Sequence, residues 1–384
     1  MLWLNLALHL SVIGVVTDYI FDEGWYIPFA KASVVLGQAV NLEHPPLFKI
    51  LGGIVIYFFG DWWMAWRLPT VLMGVAAVYV FYRLAKNFMQ EKYALVASTF
   101  LSFDLIFFIH SSIFLLDTPA ILFGLLGVML YFEKRYLLMA NSFGLACLMK
   151  ETGGFFVLII LIVHVALNYR QRLTKIKTLA VSVLIFIVIT LGGLWIYDLT
   201  YKPEAVWNVS NPIDNLTTMY SAFTGILPLL RTPPSEVRQP WGWILPIGNP
   251  FNAPTYSSLT MPATFLSGQK LLSLWKSQIS LPIAYFCLPI LLFCAYRIVK
   301  KKSEPFDKLY PAWLLITFVP FVIRGLITPM RWNFYFIYTI PAICLGIGFL
   351  YSKMPEKTRF RAFALSVHLL ITIVFFFIFW PIVL

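Results

Sequence analysis

Long apolar runs recur along the whole sequence and constrain its fold more than any other feature. A helix needs about 20 mostly apolar residues to cross the hydrocarbon core of a bilayer. Eleven runs approach that length, at 1–16, 68–85, 93–110, 114–132, 136–149, 153–168, 178–197, 280–297, 309–326, 333–351 and 362–384. Only 12% of the 384 residues are charged, against about a quarter in soluble domains. The sequence therefore predicts an all-α polytopic membrane protein with about eleven transmembrane helices.

The run at 47–60 is the exception among the apolar segments, because it is short and carries Lys49. We expect an interfacial or re-entrant helix there rather than a span. With this run left out, five turns on one side hold 18 of the 29 Lys and Arg residues. The positive-inside rule then places the N-terminus in the cytoplasm and the C-terminus outside. Counting 47–60 as a span weakens this charge asymmetry.

We expect one membrane domain over 1–384, with two long outer loops at 17–67 and 198–279. The second loop contains two glycosylation-type tripeptides, which begin at Asn208 and Asn215. The four cysteines lie in apolar runs without CxxC spacing, which predicts buried thiols rather than a metal site or disulfides. The N-terminal run lacks a basic start and a cleavage site, and is expected to be an uncleaved first span. The net charge of +12 is confined to turns, so nucleic-acid binding is not predicted.

Polar residues that could take part in catalysis or binding are concentrated on the outer side of the predicted spans. The first outer loop carries Asp22 and Glu23 in FDEGWY, then Glu43 and His44 in EHPPLFK, which ends at Lys49. Acidic residues at a helix start also serve as caps, and a lysine on an apolar helix can extend to the interface, so structural roles stay open for these residues.

Four further candidates lie near the outer ends of later spans. They are Arg67 in WRLP, Asp117 in LLDTP, Lys150 in MKETG and Arg331 in MRW. Asp117 could equally cap the helix that follows it, and Lys150 could pair with its neighbour Glu151.

Carboxylates and cations on one membrane face fit group transfer from a lipid-linked phosphate. A general base takes the proton of an acceptor hydroxyl, and fixed cations hold a phosphate leaving group. The lipid tail explains why such a site lies among membrane helices. A transporter or lipid flippase is the alternative class, and it predicts paired broken helices with charges at the midplane. A non-enzymatic membrane scaffold is the third.

These same motifs resemble the dolichyl-phosphate-mannose protein O-mannosyltransferases. FDEGWY, EHPPLFK, WRLP, LLDTP and MKETG follow in order over roughly residues 15–170, and the DE…PPL pattern is also similar to the lipid A aminoarabinose transferases. Both belong to the C-type integral membrane glycosyltransferases. The resemblance implies inverting transfer of a sugar, with mannose expected, from a polyprenyl or dolichyl phosphate to a hydroxyl acceptor such as protein Ser/Thr. It also implies a site outside a prokaryotic plasma membrane, or lumenal in the endoplasmic reticulum.

The resemblance implies a role for each motif residue. Asp22 would be the general base, and Glu23 would orient the loop or the acceptor. Glu43 and His44 stand where the aminoarabinose transferases place a metal-binding acid and a lysine, so a divalent metal at Glu43 is left open while none is predicted. The remaining motif residues, together with Arg331, would line the phosphate side or position the substrate: Lys49, Arg67, Asp117 and Lys150.

Two departures leave the acceptor open between protein, lipid and glycan. The mannosyltransferases typically carry an arginine before the aspartate that corresponds to Asp117, whereas this sequence has His110-Ser111-Ser112. The sequence also contains no segment resembling the soluble domains of the eukaryotic enzymes.

Overall fold

The computed structural model describes residues 1–39, 43–168, 172–203, 211–226, 239–245, 278–327, 333–355 and 359–380. The first half of the described chain contains nine α-helices: α1 (Leu2–Val12), α2 (Glu23–Lys31), α3 (Leu47–Phe59), α4 (Trp63–Ala85), α5 (Glu91–Ser102), α6 (Leu105–Ser112), α7 (Asp117–Phe132), α8 (Tyr136–Met149) and α9 (Gly154–Asn168). The second half contains α10 (Arg172–Thr200), α11 (Pro212–Ile226), α12 (Trp241–Ile244), α13 (Leu281–Ala284), α14 (Cys287–Val299), α15 (Pro305–Thr317), α16 (Val319–Ile327), α17 (Ile340–Lys353) and α18 (Arg359–Ile378).

Short elements connect these helices. A π-helical turn covers Ala32–Leu36, and 3-10 turns cover Glu151–Gly153 and Phe334–Tyr338. Two-residue strands β1 (Gln38–Ala39) and β2 (Lys202–Pro203) pair in parallel, which joins the two long outer loops. The predicted all-α polytopic fold class is confirmed.

Six stretches of the described chain are long and apolar enough to cross a bilayer. They are Trp63–Ala85, Glu151–Asn168, Leu179–Thr200, Leu281–Val299, Pro305–Leu326 and Arg359–Ile378. A bent pair, α5 with α6, adds a seventh when it is taken as one span. Five more apolar helices are shorter, namely α1, α3, α7, α8 and α17. The count of about eleven spans stays a prediction.

The run at 93–110 is not the single helix that its composition predicts. It breaks between α5 and α6 with a bend of 66°. Asp104 caps α6, since its Oδ1 accepts a hydrogen bond from Phe107 N at 2.9 Å. Leu105 N donates to Ser280 Oγ, also at 2.9 Å. The polar groups exposed by the break are therefore satisfied inside the protein, as a break in an apolar environment requires.

Helix α3 lies against α2 and α4 in the first outer loop. Its 13 residues rise about 20 Å, which is short of the roughly 30 Å hydrocarbon core. One face is buried and includes Lys49, while Tyr57, Phe58 and Phe59 are exposed. Gly53 permits the close packing, because a Cβ there would lie 2.3 Å from the carbonyl oxygen of Ala30 in α2. The burial of Lys49 corrects the alternative that its side chain extends to the interface.

Two smaller sequence expectations have clear outcomes. All four cysteines are buried free thiols, as their apolar surroundings predict. Asn215 lies in α11 with 1% of its surface exposed, and its amide donates to Asp198 at 2.5 Å, so it is not accessible for glycosylation in this conformation. Asn208 lies outside the described residues.

Candidate active site

Asp22 occupies the start of α2 without capping it. It stands at the N-cap position, but its carboxylate accepts no capping hydrogen bond from the helix backbone. The preceding residue, Phe21, has a φ of 54°, a conformation uncommon for a bulky residue, and it sets the entry of the chain into the helix. In the described structure the side chain makes one hydrogen bond, in which Tyr26 Oη donates to Oδ2 at 3.4 Å. Asp22 is a partly exposed residue, and its carboxylate is only weakly held.

Glu23, the adjacent acid, is completely buried and fully engaged. Its Oε1 accepts from Arg67 Nε at 2.9 Å and from Phe114 N at 2.8 Å. Its Oε2 accepts from Arg67 Nη2 at 2.7 Å and from Ile20 N at 2.8 Å. Four donors on two oxygens leave this carboxylate little capacity to take a proton from a substrate.

Arg67 uses all its N–H donors within the protein, on Glu23 and on the backbone between α1 and α2. Besides the two bonds to Glu23, its Nη1 donates to Ile13 O at 2.7 Å and to Val16 O. Its remaining Nη2 hydrogen goes to Asp18 O at 2.6 Å. A guanidinium has five N–H groups, so none is left for a phosphate. Arg67 thereby fixes the segment between α1 and α2, which carries Asp22.

Asp117 lies at the first turn of α7 and gathers three partners. Its Oδ1 accepts from Lys150 Nζ at 2.8 Å and from Tyr338 Oη at 3.0 Å. Its Oδ2 lies 3.3 Å from His110 Nδ1. Thr152 Oγ1 in turn donates to Tyr338 Oη at 2.5 Å. Asp117 is therefore a buried anchor that ties the ends of α7, α8 and α17 together.

His44 connects the first outer loop to the turn between α8 and α9. Its Nδ1 lies 2.9 Å from Glu151 Oε2, and its carbonyl oxygen accepts from Lys49 Nζ at 2.8 Å. The alternative left open above, in which Lys150 pairs with Glu151, is not adopted by the structure. Because their side chains diverge at the turn, Lys150 reaches Asp117 and Glu151 reaches His44.

The charges around Asp22 tune the ionisable groups outside the spans. Burial raises the pKa of Asp22 to about 6, although Lys150 and His44 oppose that rise. Burial alone would lower the pKa of Lys150, but Asp117 and Glu151 outweigh burial and raise it, so this lysine stays charged. Burial lowers the pKa of Lys49 to about 7. The arrangement supplies a carboxylate that can exchange a proton near neutral pH beside a permanent cation.

The predicted residues fall into four groups. The structure brings four of them within electrostatic range of one another, and we call these, with Glu151, the Asp22 cluster: Asp22, His44, Asp117, Lys150 and Glu151. Lys49 borders this cluster through His44, and Glu43 is partly exposed within electrostatic range of Lys49. Glu23 and Arg67 lie apart as a buried pair. Arg331 lies outside the described residues.

Sequence reasoning missed several tyrosines of the site. Tyr26 and Tyr338 contact the two aspartates, and Tyr335 lies within electrostatic range of Asp22 and Lys150. Tyr26 lies one helical turn after Asp22, and that spacing could have identified it. Tyr335 and Tyr338 come from more than 200 residues further along the chain, and nothing local marks them among the 19 tyrosines.

The sequence matches a known family over part of its length. Residues 43–195 match the family model described as dolichyl-phosphate-mannose-protein mannosyltransferase. No sequence among curated proteins matches the chain. The structure aligns over 100% of this chain and 90% of the Saccharomyces cerevisiae protein O-mannosyltransferase Pmt1-Pmt2 complex chain, with a TM-score of 0.70 and 11% identity. The chain has the fold of the C-type membrane glycosyltransferases.

Two further C-type structures are similar but larger. The Archaeoglobus fulgidus oligosaccharyltransferase gives a TM-score of 0.63 at 12% identity, covering 99% of this chain and 55% of its own. ArnT from Cupriavidus metallidurans gives 0.54 at 17% identity, covering 92% of this chain and 59% of its own. This chain thus spans a little over half the length of those two proteins. The resemblance to the mannosyltransferase and aminoarabinose transferase group is confirmed.

The metal left open at Glu43 has no evident ligand set. Among the described residues, no group of three or more His, Cys, Asp or Glu side chains is placed to hold a metal ion. The oligosaccharyltransferase has been solved in complex with Zn and sulfate. In this chain His44 is paired with Glu151, and the described side chains do not fit a metal site.

Proposed function

We propose that this protein transfers a sugar from a polyprenyl-phosphate carrier to a hydroxyl acceptor, with Asp22 as the general base. The single observation that carries the proposal is the state of Asp22. Asp22 is a partly exposed residue whose carboxylate has no ion pair of its own among the described residues and lies within electrostatic range of the charged Lys150. Two other carboxylates are close to Asp22. Glu23 is its neighbour in sequence and Asp117 lies within its electrostatic range, and both are already paired with cations.

The similar proteins support this class of donor. The Pmt1-Pmt2 complex was solved with its sugar donor. ArnT was solved with undecaprenyl phosphate, and the archaeal oligosaccharyltransferase with a dolichol-phosphate. Together with the family match over 43–195, these proteins favour a lipid-phosphate sugar. Mannose and a protein Ser/Thr acceptor are the finer parts of our proposal.

The proposed reaction is one inverting displacement. The Asp22 carboxylate takes the proton of the acceptor hydroxyl as its oxygen attacks the anomeric carbon of the sugar. The bond from that carbon to the phosphate oxygen breaks, and its electron pair leaves with the polyprenyl phosphate. Lys150, kept charged by Asp117, stabilises the negative charge that develops on the leaving group. The proton ends on Asp22, whose raised pKa suits a group that must gain and then release it.

Other residues of the site position these two groups. Glu23 and Arg67 fix the loop that carries Asp22, and we assign Arg67 to that role rather than to the phosphate. Asp117 and Tyr338 hold Lys150 in place. Lys49 is partly neutral when no donor is bound, because burial lowers its pKa to about 7. A bound anion nearby would favour its charged form, so we assign Lys49 to the donor phosphate.

We further propose that the site faces outside, or the lumen, with the N-terminus in the cytoplasm. The turn at the opposite ends of α7 and α8 from Asp117 and Lys150, at 133–135, is one of the five turns that together hold 18 of the 29 Lys and Arg residues. The protein would act on its lipid donor from within a prokaryotic plasma membrane, or the endoplasmic reticulum membrane in a eukaryote.

Sugar transfer by the purified protein tests the proposal directly. Protein in detergent is incubated with polyprenyl-phosphate mannose and a Ser/Thr-rich peptide, and glycopeptide is measured by mass spectrometry. Wild-type protein is expected to form product, and Asp22→Asn to lose about 10²–10⁴-fold in kcat, the usual contribution of a general base. The matched control is Asp61→Asn, because Asp61 lies in the same outer loop but pairs with Lys31 at its exposed edge.

Three outcomes are informative. Loss in Asp22→Asn with activity retained in Asp61→Asn supports the base. Activity near wild type in Asp22→Asn rejects it. No transfer by the wild type with any of several lipid-linked sugars and acceptors rejects the enzyme class and favours the transporter. The described chain has one sharply bent pair rather than the paired broken helices that a transporter predicts.

A further inference from the structure

A groove lies at the opposite end of α7 and α8 from the Asp22 cluster. It is formed by the turn between these helices, the start of α8 and the adjoining face of α10, and it encloses about 550 Å³. Helix α7 has 16 residues, so its ends lie about 24 Å apart. The groove is therefore separate from the proposed catalytic site, and nothing in the transfer mechanism uses it.

The turn that leads into the groove is stabilised by backbone hydrogen bonds and not by its cationic side chains. After α7, Lys134 N donates to Tyr131 O and Arg135 N donates to Leu130 O, so the last carbonyls of the helix are satisfied by backbone. Lys134 has a φ of 60°, which tightens the turn. The Arg135 side chain is 61% exposed, and its one ion pair within the described part of the chain, to Glu133, is at the 4.0 Å limit. Both cations are thus available at the rim.

The walls of the groove are apolar below this cationic rim. Leu137 and Leu138 on α8 are 60% and 48% exposed, and Val181 on α10 is 51% exposed. Ser182 contributes a buried polar position in the lining. Two cations above an apolar trough match an amphiphile with an anionic head and hydrocarbon chains. A free phosphate would leave the apolar walls unused, and a zwitterionic lipid would gain less from the cations.

We propose that this groove binds one anionic phospholipid of the leaflet opposite to the Asp22 cluster. Lys134 and Arg135 contact the headgroup phosphate, and the acyl chains lie along Leu137, Leu138 and Val181. A basic residue near an anionic leaflet contributes about 1 kcal/mol, so the two together should favour this lipid by roughly tenfold or more. The bound lipid would hold the lightly buried α10 against α8.

The chain supplies an unusually close control for this proposal. The turn after α14 has the same backbone pattern, in which Lys301 N donates to Ile298 O and Lys302 N to Arg297 O. Lys301 has a φ of 57°, and this turn also ends a helix with cations, here Lys300, Lys301 and Lys302. It does not line the groove. The variant Lys301→Gln/Lys302→Gln therefore removes the same charge from the same kind of turn.

Lipid binding is measured by native mass spectrometry and thermal unfolding of the full-length protein in detergent. The ligands are phosphatidylglycerol, phosphatidylcholine and inorganic phosphate. Wild type and the control variant should retain phosphatidylglycerol and be stabilised by it, with no effect of inorganic phosphate. Lys134→Gln/Arg135→Gln should bind it roughly tenfold more weakly. Leu138→Ser, which keeps both cations, should also weaken it.

Each other outcome overturns the proposal. Equal weakening in both double variants would mean diffuse attraction to basic turns. Equal retention of phosphatidylcholine would mean that the cations do not select the headgroup. Stabilisation by inorganic phosphate with no added effect of the lipid would mean a simple anion site.

Discussion

Two clusters of charge lie at opposite ends of helix α17, and they differ in how completely their charges are paired. Arg297, Glu304, Asp307 and Lys353 form the second, which we call the Arg297 cluster. Arg297 Nε donates to both Asp307 oxygens at 3.0 and 3.1 Å, and its Nη2 donates to Glu304 at 2.8 Å. Lys353 Nζ donates to Glu304 at 2.6 Å.

The Arg297 cluster is complete within the protein, whereas the Asp22 cluster is not. Glu304 and Asp307 also form a capping box at the start of α15. Each carboxylate therefore both pairs with a cation and caps a helix. In the Asp22 cluster, Asp117 is likewise paired, with Lys150 and Tyr338, but Asp22 keeps a weak bond to Tyr26 alone among the described groups. A buried region that leaves one carboxylate unsatisfied gives up stability, and such sites are characteristically functional.

Among the substitutions that test this contrast, the largest loss of stability is expected at Asp307. Asp307→Asn leaves Arg297 buried beside a neutral amide, and breaking a buried pair typically costs about 3–5 kcal/mol. Unfolding in detergent should show that loss, while transfer per folded molecule stays within about twofold of wild type because the site lies a helix length away. Glu304→Gln, at a 40% exposed side chain, is the control and should cost less than about 1 kcal/mol. Loss of transfer without loss of stability in Asp307→Asn would contradict the contrast.

A smaller and more selective effect is expected at Lys49. Lys49→Ala should raise the KM for the lipid donor about tenfold, the size of one charge-assisted contact, and leave the KM for the acceptor nearly unchanged. Donor and acceptor are titrated separately in the transfer assay. Lys31→Ala is the control, since Lys31 is a partly exposed lysine of the same outer loop that pairs with Asp61. Equal loss for donor and acceptor would remove the phosphate role from Lys49.

The smallest effect is expected at Tyr338. Tyr338→Phe removes one of two hydrogen bonds to Asp117 Oδ1 and keeps the ring, which should cost about 1 kcal/mol of stability. Because Lys150 then has a less rigid partner, kcat should fall a fewfold with no change in the KM of either substrate. Tyr310→Phe provides a comparison, since Tyr310 Oη donates to Cys287 O away from the cluster. A fall in kcat of the same size in Tyr310→Phe would show that Tyr338 acts through stability alone.

The sequence predicts the class of fold and the loop that carries the base, and physical reasons limit it beyond that. The length of an apolar run predicts a membrane helix from local sequence alone. The break at Asp104, in contrast, depends on a distant residue, Ser280, whose hydroxyl accepts a hydrogen bond from the backbone N–H of Leu105. Composition likewise brings carboxylates and cations to one face, but it does not show which of them pair. Whether Glu23 or Asp22 is free depends on Arg67, 44 residues further along the chain. The tyrosines that complete the site become neighbours only through packing.

The pH dependence of kcat/KM tests the central claim, that the Asp22 cluster holds one ionisable carboxylate ready to act as a base. A base must be deprotonated, so kcat/KM should fall tenfold per unit below a midpoint near 6, the raised pKa of Asp22. Above about pH 7, where Lys49 loses its charge, kcat/KM should fall by no more than the roughly tenfold expected for Lys49→Ala. Because His44 lies in the same cluster, the profile is also recorded for His44→Gln, in which the acidic limb should remain. Unfolding curves over the same pH range exclude loss of fold. A midpoint near 4, the ordinary value for an aspartate, or a limb that disappears in His44→Gln, would contradict the account.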